Sequence, residues 1–170
     1  MNGTQLVLDA LHRGEERLAT MLVAVASRHR ADHEVHHVAT DVAAWSHEHV
    51  QRLAAACGRH GPDLDRPCDD AWGDVPVPLQ HATPEPAGLR PEPGLLLLRD
   101  LRDVHLAATR NSLHWEMLAQ VAQASGAADL LTLASSCHPR TLRQMRWTNT
   151  MIKTLSPQVL SSLLSRPERD

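Results

Sequence analysis

The sequence predicts an all-α protein, a four-helix bundle in a single domain over residues 1–170, and three observations carry that prediction. Four stretches show apolar residues recurring three and four positions apart, and none shows sustained alternation. A Pro-rich connector of more than thirty residues separates the second stretch from the third. The chain has no Phe, no Tyr and one Ile, Ile152, so little favours strands beyond Val and Trp.

The first helix is expected from Thr4 to Arg30, with the stripe Leu8, Leu11, Glu15, Leu18, Leu22, Val25 and His29. The second follows a short break in which Asp32 is a natural N-cap. Its stripe is Val35, Val38, Val42, Trp45, His49, Leu53 and Ala56, and Gly58 reads as its stop, closing a hairpin over residues 4–58. Residues 59–94 form the connector, because Pro62, Pro67, Pro76, Pro78, Pro84, Pro86, Pro91 and Pro93 forbid a long helix there. Trp72, Val75, Val77 and Leu79 are the connector residues expected to pack.

A second hairpin is expected over 95–155. Its first helix carries Leu98, Leu101, His105, Ala108, Ser112, Glu116 and Ala119 on one face, with Leu106, Leu113, Met117 and Val121 on another, and ends at Gly126. The last long helix carries Leu131, Ala134, His138, Thr141, Met145, Thr148, Ile152 and Leu155, with Pro139 expected to kink or restart it. Ser156-Pro157 reads as an N-cap with Pro at the first helical position, opening a short helix over 156–165.

The bulk properties narrow the functional classes. A net charge of −3 offers no basic field for nucleic acid or an anionic membrane. No apolar run reaches the ~18 residues of a membrane span, and the N-terminus lacks a signal-peptide pattern. Three cysteines without a CxxC pair fit a reducing compartment, so a cytoplasmic location is expected. The 12 histidines accompany a general excess of Ala, Leu and Arg, the bias of a GC-rich coding sequence. No nucleophile elbow, P-loop or dinucleotide fingerprint is present, so no catalytic residue and no organic cofactor is assigned.

Chemistry enters where polar groups interrupt the apolar stripes. Each stripe is interrupted by a group able to ligate a metal: Glu15 (with Glu16 as its alternative), His49, Glu116 and His138. At ~1.5 Å of rise per residue, Glu15 and His49 lie roughly 25 Å from the first hairpin turn. Glu116 and His138 lie roughly 15–18 Å from the second. If the two turns sit at opposite ends of a bundle about 40 Å long, all four groups fall at one level.

Two helical hairpins, a long crossover and this ligand level resemble the ferritin-like superfamily. Its bundles place a Glu on each of two helices and a Glu-x-x-His on each of the others. Here both Glu-x-x-His positions read Ser-x-x-His, with Ser46 before His49 and Ser135 before His138. The resemblance implies iron or oxygen chemistry. The missing bridging carboxylates reduce the expected cofactor to one divalent transition metal, iron or alternatively zinc or manganese. The second expectation is a metal-free helical module acting in binding, as a homodimer or with a partner protein.

Other groups are read more plainly. His33-Glu34-Val35-His36-His37 formally contains His-Glu-x-x-His, but it opens a helix beside a turn, where solvated histidines are expected. Cys137 beside His138 reads as a buried free thiol, with a soft ligand or a reactive thiol as further readings.

Overall fold

The computed structural model describes residues 3–60 and 92–164, with side chains to residue 162. The expected connector and its packing residues Trp72, Val75, Val77 and Leu79 lie outside the described residues. Within them there are four α-helices and no strand: α1 (Gly3–Arg28), α2 (His33–His60), α3 (Pro93–Ser125) and α4 (Ala128–Leu164).

Local chemistry sets the helix ends. Asp32 caps α2 by accepting the Val35 amide at 3.0 Å, an interaction worth ~1 kcal/mol. The His36 Nδ1–H donates to the Ala26 carbonyl at 2.8 Å and ties the start of α2 back to α1. Pro93 occupies the first turn of α3, where its missing donor costs nothing. Gly126 ends α3 at φ 70°, and the Ala127 amide reaches back to the Ala122 carbonyl at 2.9 Å. This left-handed stop needs the absence of a Cβ.

Two expected boundaries are corrected. α2 runs through Gly58 to His60, because the residues after the glycine are held: His60 Nε2 meets Asp129 Oδ2 at 2.6 Å. The expected separate helix over 156–165 is instead the continuation of α4, which passes both Pro139 and Pro157. Both prolines are exposed, as are Ser135 and Lys153 four residues before them. The carbonyls that lose a partner there can turn to water. Val159 beyond the second proline packs against Gly94 of α3, where an added Cβ would stand 2.8 Å from its methyl carbon.

The cross-helix pairs give the topology. Glu15 meets Trp115 and His29 meets Asp100, so α1 and α3 are antiparallel. His60 meets Asp129, Glu48 meets Arg140 and Ser46 meets Gln144, so α2 and α4 are antiparallel too. With α1 beside α2 and α3 beside α4, the diagonal partners α2 and α3 run in the same direction. The two turns therefore sit at opposite ends, as do His60 and Pro93.

The core is divided in two. One apolar cluster, nearer the first turn, joins Leu18, Leu22, Val25, Val35, Val42, Leu101, Val104 and Met151. The other, nearer the second turn, joins Leu8, Leu11, Leu53, Trp115, Leu118, Leu130 and Cys137. Near the first turn the buried Asp100 carboxylate is shared by Arg28 at 2.6 Å and His29 at 2.8 Å.

Candidate functional site

A layer of buried polar side chains separates the two apolar clusters, and every helix contributes to it. On α1, Glu15 follows Leu11 of one cluster and precedes Leu18 of the other. On α2, Ser46 and His49 stand between Val42 and Leu53, and on α3 Asn111 and Ser112 stand between Ala108 and Trp115. On α4, Thr141, Gln144 and Thr148 stand between Cys137 and Met151. Such a layer costs free energy unless its atoms find partners.

Its centre is a charged pair. Glu15 and His49 are both 0% exposed, and Glu15 Oε2 lies 3.2 Å from His49 Nδ1. This contact is close enough for charge attraction but is not aligned as a hydrogen bond. The Trp115 indole N–H donates to the other carboxylate oxygen at 3.0 Å. Its ring also meets the His49 ring edge-on at 5.6 Å between centroids. Burial is the largest influence on His49 and opposes its charge. The Cys137 sulfur and the Glu15 carboxylate together outweigh it, and the imidazole is pushed up to about 9. At neutral pH the centre therefore holds a carboxylate balanced by an imidazolium.

Elsewhere the layer is only partly satisfied. The Gln144 amide donates to the Val42 carbonyl at 2.9 Å and to Ser46 Oγ at 3.0 Å. Ser112 Oγ and His138 Nε2 are hydrogen-bonded at 2.8 Å, and His105 Nδ1 meets Thr148 Oγ1 at 2.9 Å. Glu15 Oε2, both His49 nitrogens, both Asn111 amide atoms, Thr141 Oγ1 and Gln144 Oε1 find no hydrogen-bond partner among the described residues. Buried polar atoms are nearly always paired, so such a concentration marks where water, an ion or a small polar ligand belongs. Asn111 reaches the layer over Gly14, where a Cβ would meet its Oδ1 at 2.3 Å.

Of the four expected ligands, the fold brings Glu15 and His49 together. Glu116 is exposed, and His138 is half-buried at the edge of the layer. The expected inward stripes of the third and fourth helices are thus corrected by one residue: Trp115 and Cys137 point inward, each 0% exposed. The reason is packing: an unbroken three-four spacing runs through Leu101, Val104, Ala108, Asn111, Trp115, Leu118 and Ala122, and it buries the large indole. Turning α3 to admit Glu116 would expose Trp115. Among the described residues no three His, Cys, Asp or Glu side chains are grouped so that they could hold a metal ion.

Sequence reasoning missed Trp115, Asn111 and Gln144 as parts of the centre. For Trp115 and Asn111 the signal was present as the alternating spacing of α3, which a stripe chosen to include Glu116 breaks; for Gln144 it was not, since the stripe through His138 and Met145 alternates as regularly. At the start of α2, His33 and His37 are exposed, with ring centroids 6.2 Å apart and stacked.

No family model matches the chain, and no curated protein and no solved structure is similar to it at a significant level. No described helix is long and apolar enough to cross a membrane.

Proposed function

We propose that this chain is a ferritin-like bundle whose polar layer takes one divalent transition metal ion, with Glu15 and His49 as its anchoring ligands. The observation that carries the reading is the carboxylate oxygen and two imidazole nitrogens left without hydrogen-bond partners in a fully buried layer. The parallel diagonal helices and the opposed turns support the ferritin-like assignment, since that topology requires a crossover between helices two and three.

The residues do not fit the paired-metal centre of that family. Ser46 and Ser135 stand where its glutamates would be, and Glu116 faces outward. They fit a single ion better. Glu15 would offset its charge and a neutral His49 would bind it, while water fills the remaining positions. Bound there, the ion would supply Lewis acidity or, as iron, redox chemistry. Within the chain, Trp115 holds the carboxylate, and the flanking leucines exclude bulk water.

Elemental analysis of untagged protein tests the reading. About one equivalent of iron, zinc or manganese, lost in the double variant His49→Ala, Glu15→Ala, is the expected result. Less than about a tenth of an equivalent, unchanged by anaerobic Fe(II), zinc or manganese, refutes it.

The second reading is a metal-free module for binding or dimerisation. It is favoured by the proton on His49, which already neutralises Glu15 without an ion. Leu106, Leu113 and Met117, exposed along one face of α3, would then be where a second copy rests. A monomeric mass by sedimentation equilibrium at micromolar concentration excludes the homodimer.

A further inference from the structure

The side of α3 that faces away from the core carries a row of apolar residues. Leu106, Leu113 and Met117 are spaced seven and four apart, which sets them on one side of the helix, and Leu95 begins the same row. Leu106 is 60%, Leu113 53%, Met117 40% and Leu95 37% exposed. The other large apolar residues exposed among the described ones, Val23 on α1 and Leu142 and Leu160 on α4, are scattered. Single exposed apolar residues are ordinary, whereas a row along one helix marks a surface that something covers.

Charge separates the candidate covers. Arg99, Arg102 and Arg110 stand along the row, with Asp103, which Arg102 reaches at 2.7 Å, and Glu116 on its flanks. A second copy laid on Leu106 and Leu113 would set Arg110, between them, against its own equivalent, whichever way the two helices ran. Residues 61–91, outside the described residues, have the opposite charge: six acidic residues against two arginines. Asp69, Asp70 and Asp74 stand beside the apolar Trp72, Val75, Val77 and Leu79. Their path is bounded by its ends. The chain leaves α2 at His60, beside the start of α4, and enters α3 at Pro93 at the other end of the bundle. It therefore travels the length that α3 itself spans, roughly 50 Å, with up to ~100 Å of chain to do so. Leu79 lies fourteen residues before Pro93, a reach of up to ~46 Å, and Leu113 stands about 30 Å along α3 from the same point.

We infer that the outer face of α3 is a docking surface for the chain's own segment 72–79. Leu106, Leu113 and Met117 take its apolar side chains, and the arginines take its aspartates. This occupant leaves the metal reading untouched and displaces the second copy of the metal-free reading from that face.

A double-mutant cycle on the full-length chain tests the docking. Leu113→Ser and Trp72→Ala should each lower the unfolding midpoint, and together by clearly less than the sum, because each removes the other's partner. Losses that add, or no loss from either, overturn the inference. Disulfide trapping identifies the occupant. In a Cys68→Ser background, where Cys57 and Cys137 are buried, Val77→Cys is combined with Leu106→Cys. Mild oxidation should close an intramolecular bridge at least roughly tenfold faster than when Val77→Cys is combined with Gln51→Cys, exposed on α2. Equal rates overturn the inference. A covalent dimer as the main product overturns it too, and returns the face to a second copy.

Discussion

Replacing Glu15 by glutamine should remove a large part of the pH dependence of stability that His49 gives the fold. His49 is raised from 6.5 to about 9 in the folded chain. At ~1.4 kcal/mol for each pKa unit, that difference stabilises the native state by about 3 kcal/mol. Because the folded value is the higher one, the contribution is complete below pH 6.5. It is lost as the pH rises toward 9. The titratable groups facing His49 are Glu15 from α1 and Cys137 from α4, while α3 presents the neutral Trp115. Glutamine keeps the shape of Glu15 but removes the charge that, together with the Cys137 sulfur, outweighs burial. His49 in Glu15→Gln then holds its proton less tightly when folded, because burial is opposed by the sulfur alone. The assay is urea unfolding of both proteins, metal-free, at intervals from pH 6 to 9.5. The parent should exceed the variant at pH 6 by up to about 3 kcal/mol, or up to roughly 6–12 °C in Tm for a chain of this size. The gap should close toward pH 9. Taking the difference cancels the other histidines. A gap that is constant across the range, or that widens with pH, would refute the reasoning.

Gly14→Ala should cost about 1–3 kcal/mol by pressing a methyl group onto the Asn111 amide. In an Asn111→Ala background the same change should cost under about 0.5 kcal/mol, or stabilise through helix propensity; equal costs in both backgrounds by denaturant titration would dismiss the close approach. Trp115→Phe should cost about 1–3 kcal/mol, since it leaves the second Glu15 oxygen without a donor. Its ultraviolet-monitored thermal melt should shift down accordingly, and an unchanged midpoint would contradict the assignment. Pro139→Ala should raise stability by about 1–3 kcal/mol, because α4 is continuous there and regains one backbone donor. Unaltered unfolding would mean that the helix has already adapted fully to the ring.

Much of this fold could be read from the residues, for physical reasons that differ along the chain. On α1 the apolar residues occur nearly alone on one face, and Leu8, Leu11, Leu18 and Leu22 are all buried as their spacing requires. The Asp32 cap was legible because its acceptor serves an amide three residues away. On α3 and α4 the signal is ambiguous, since apolar residues also lie on the outer face: Leu106 is 60% and Leu113 53% exposed. One residue of misphasing is ~100° of rotation, enough to exchange Trp115 for Glu116 and Cys137 for His138. The center's long-range partners, such as Gln144 with Val42, were not legible at all, because they depend on which helices neighbour each other. The continuity of α4 past Pro157 depends likewise on Val159 meeting Gly94, a contact distant in sequence.

The polar layer also fixes vertical alignment. Leucine packed on leucine is forgiving, and a bundle with an uninterrupted core could slide one helix along another by a turn, ~5.4 Å, at modest cost. Here such a slip would carry the Glu15 carboxylate off His49 and toward Leu53 on one side or Ser46 on the other, neither of which carries a positive charge. A buried charge without its partner costs about 3–5 kcal/mol, a large share of the stability of a domain. Glu15 and His49 therefore act as a pin through the stack, rejecting misaligned bundles that the apolar residues alone would tolerate.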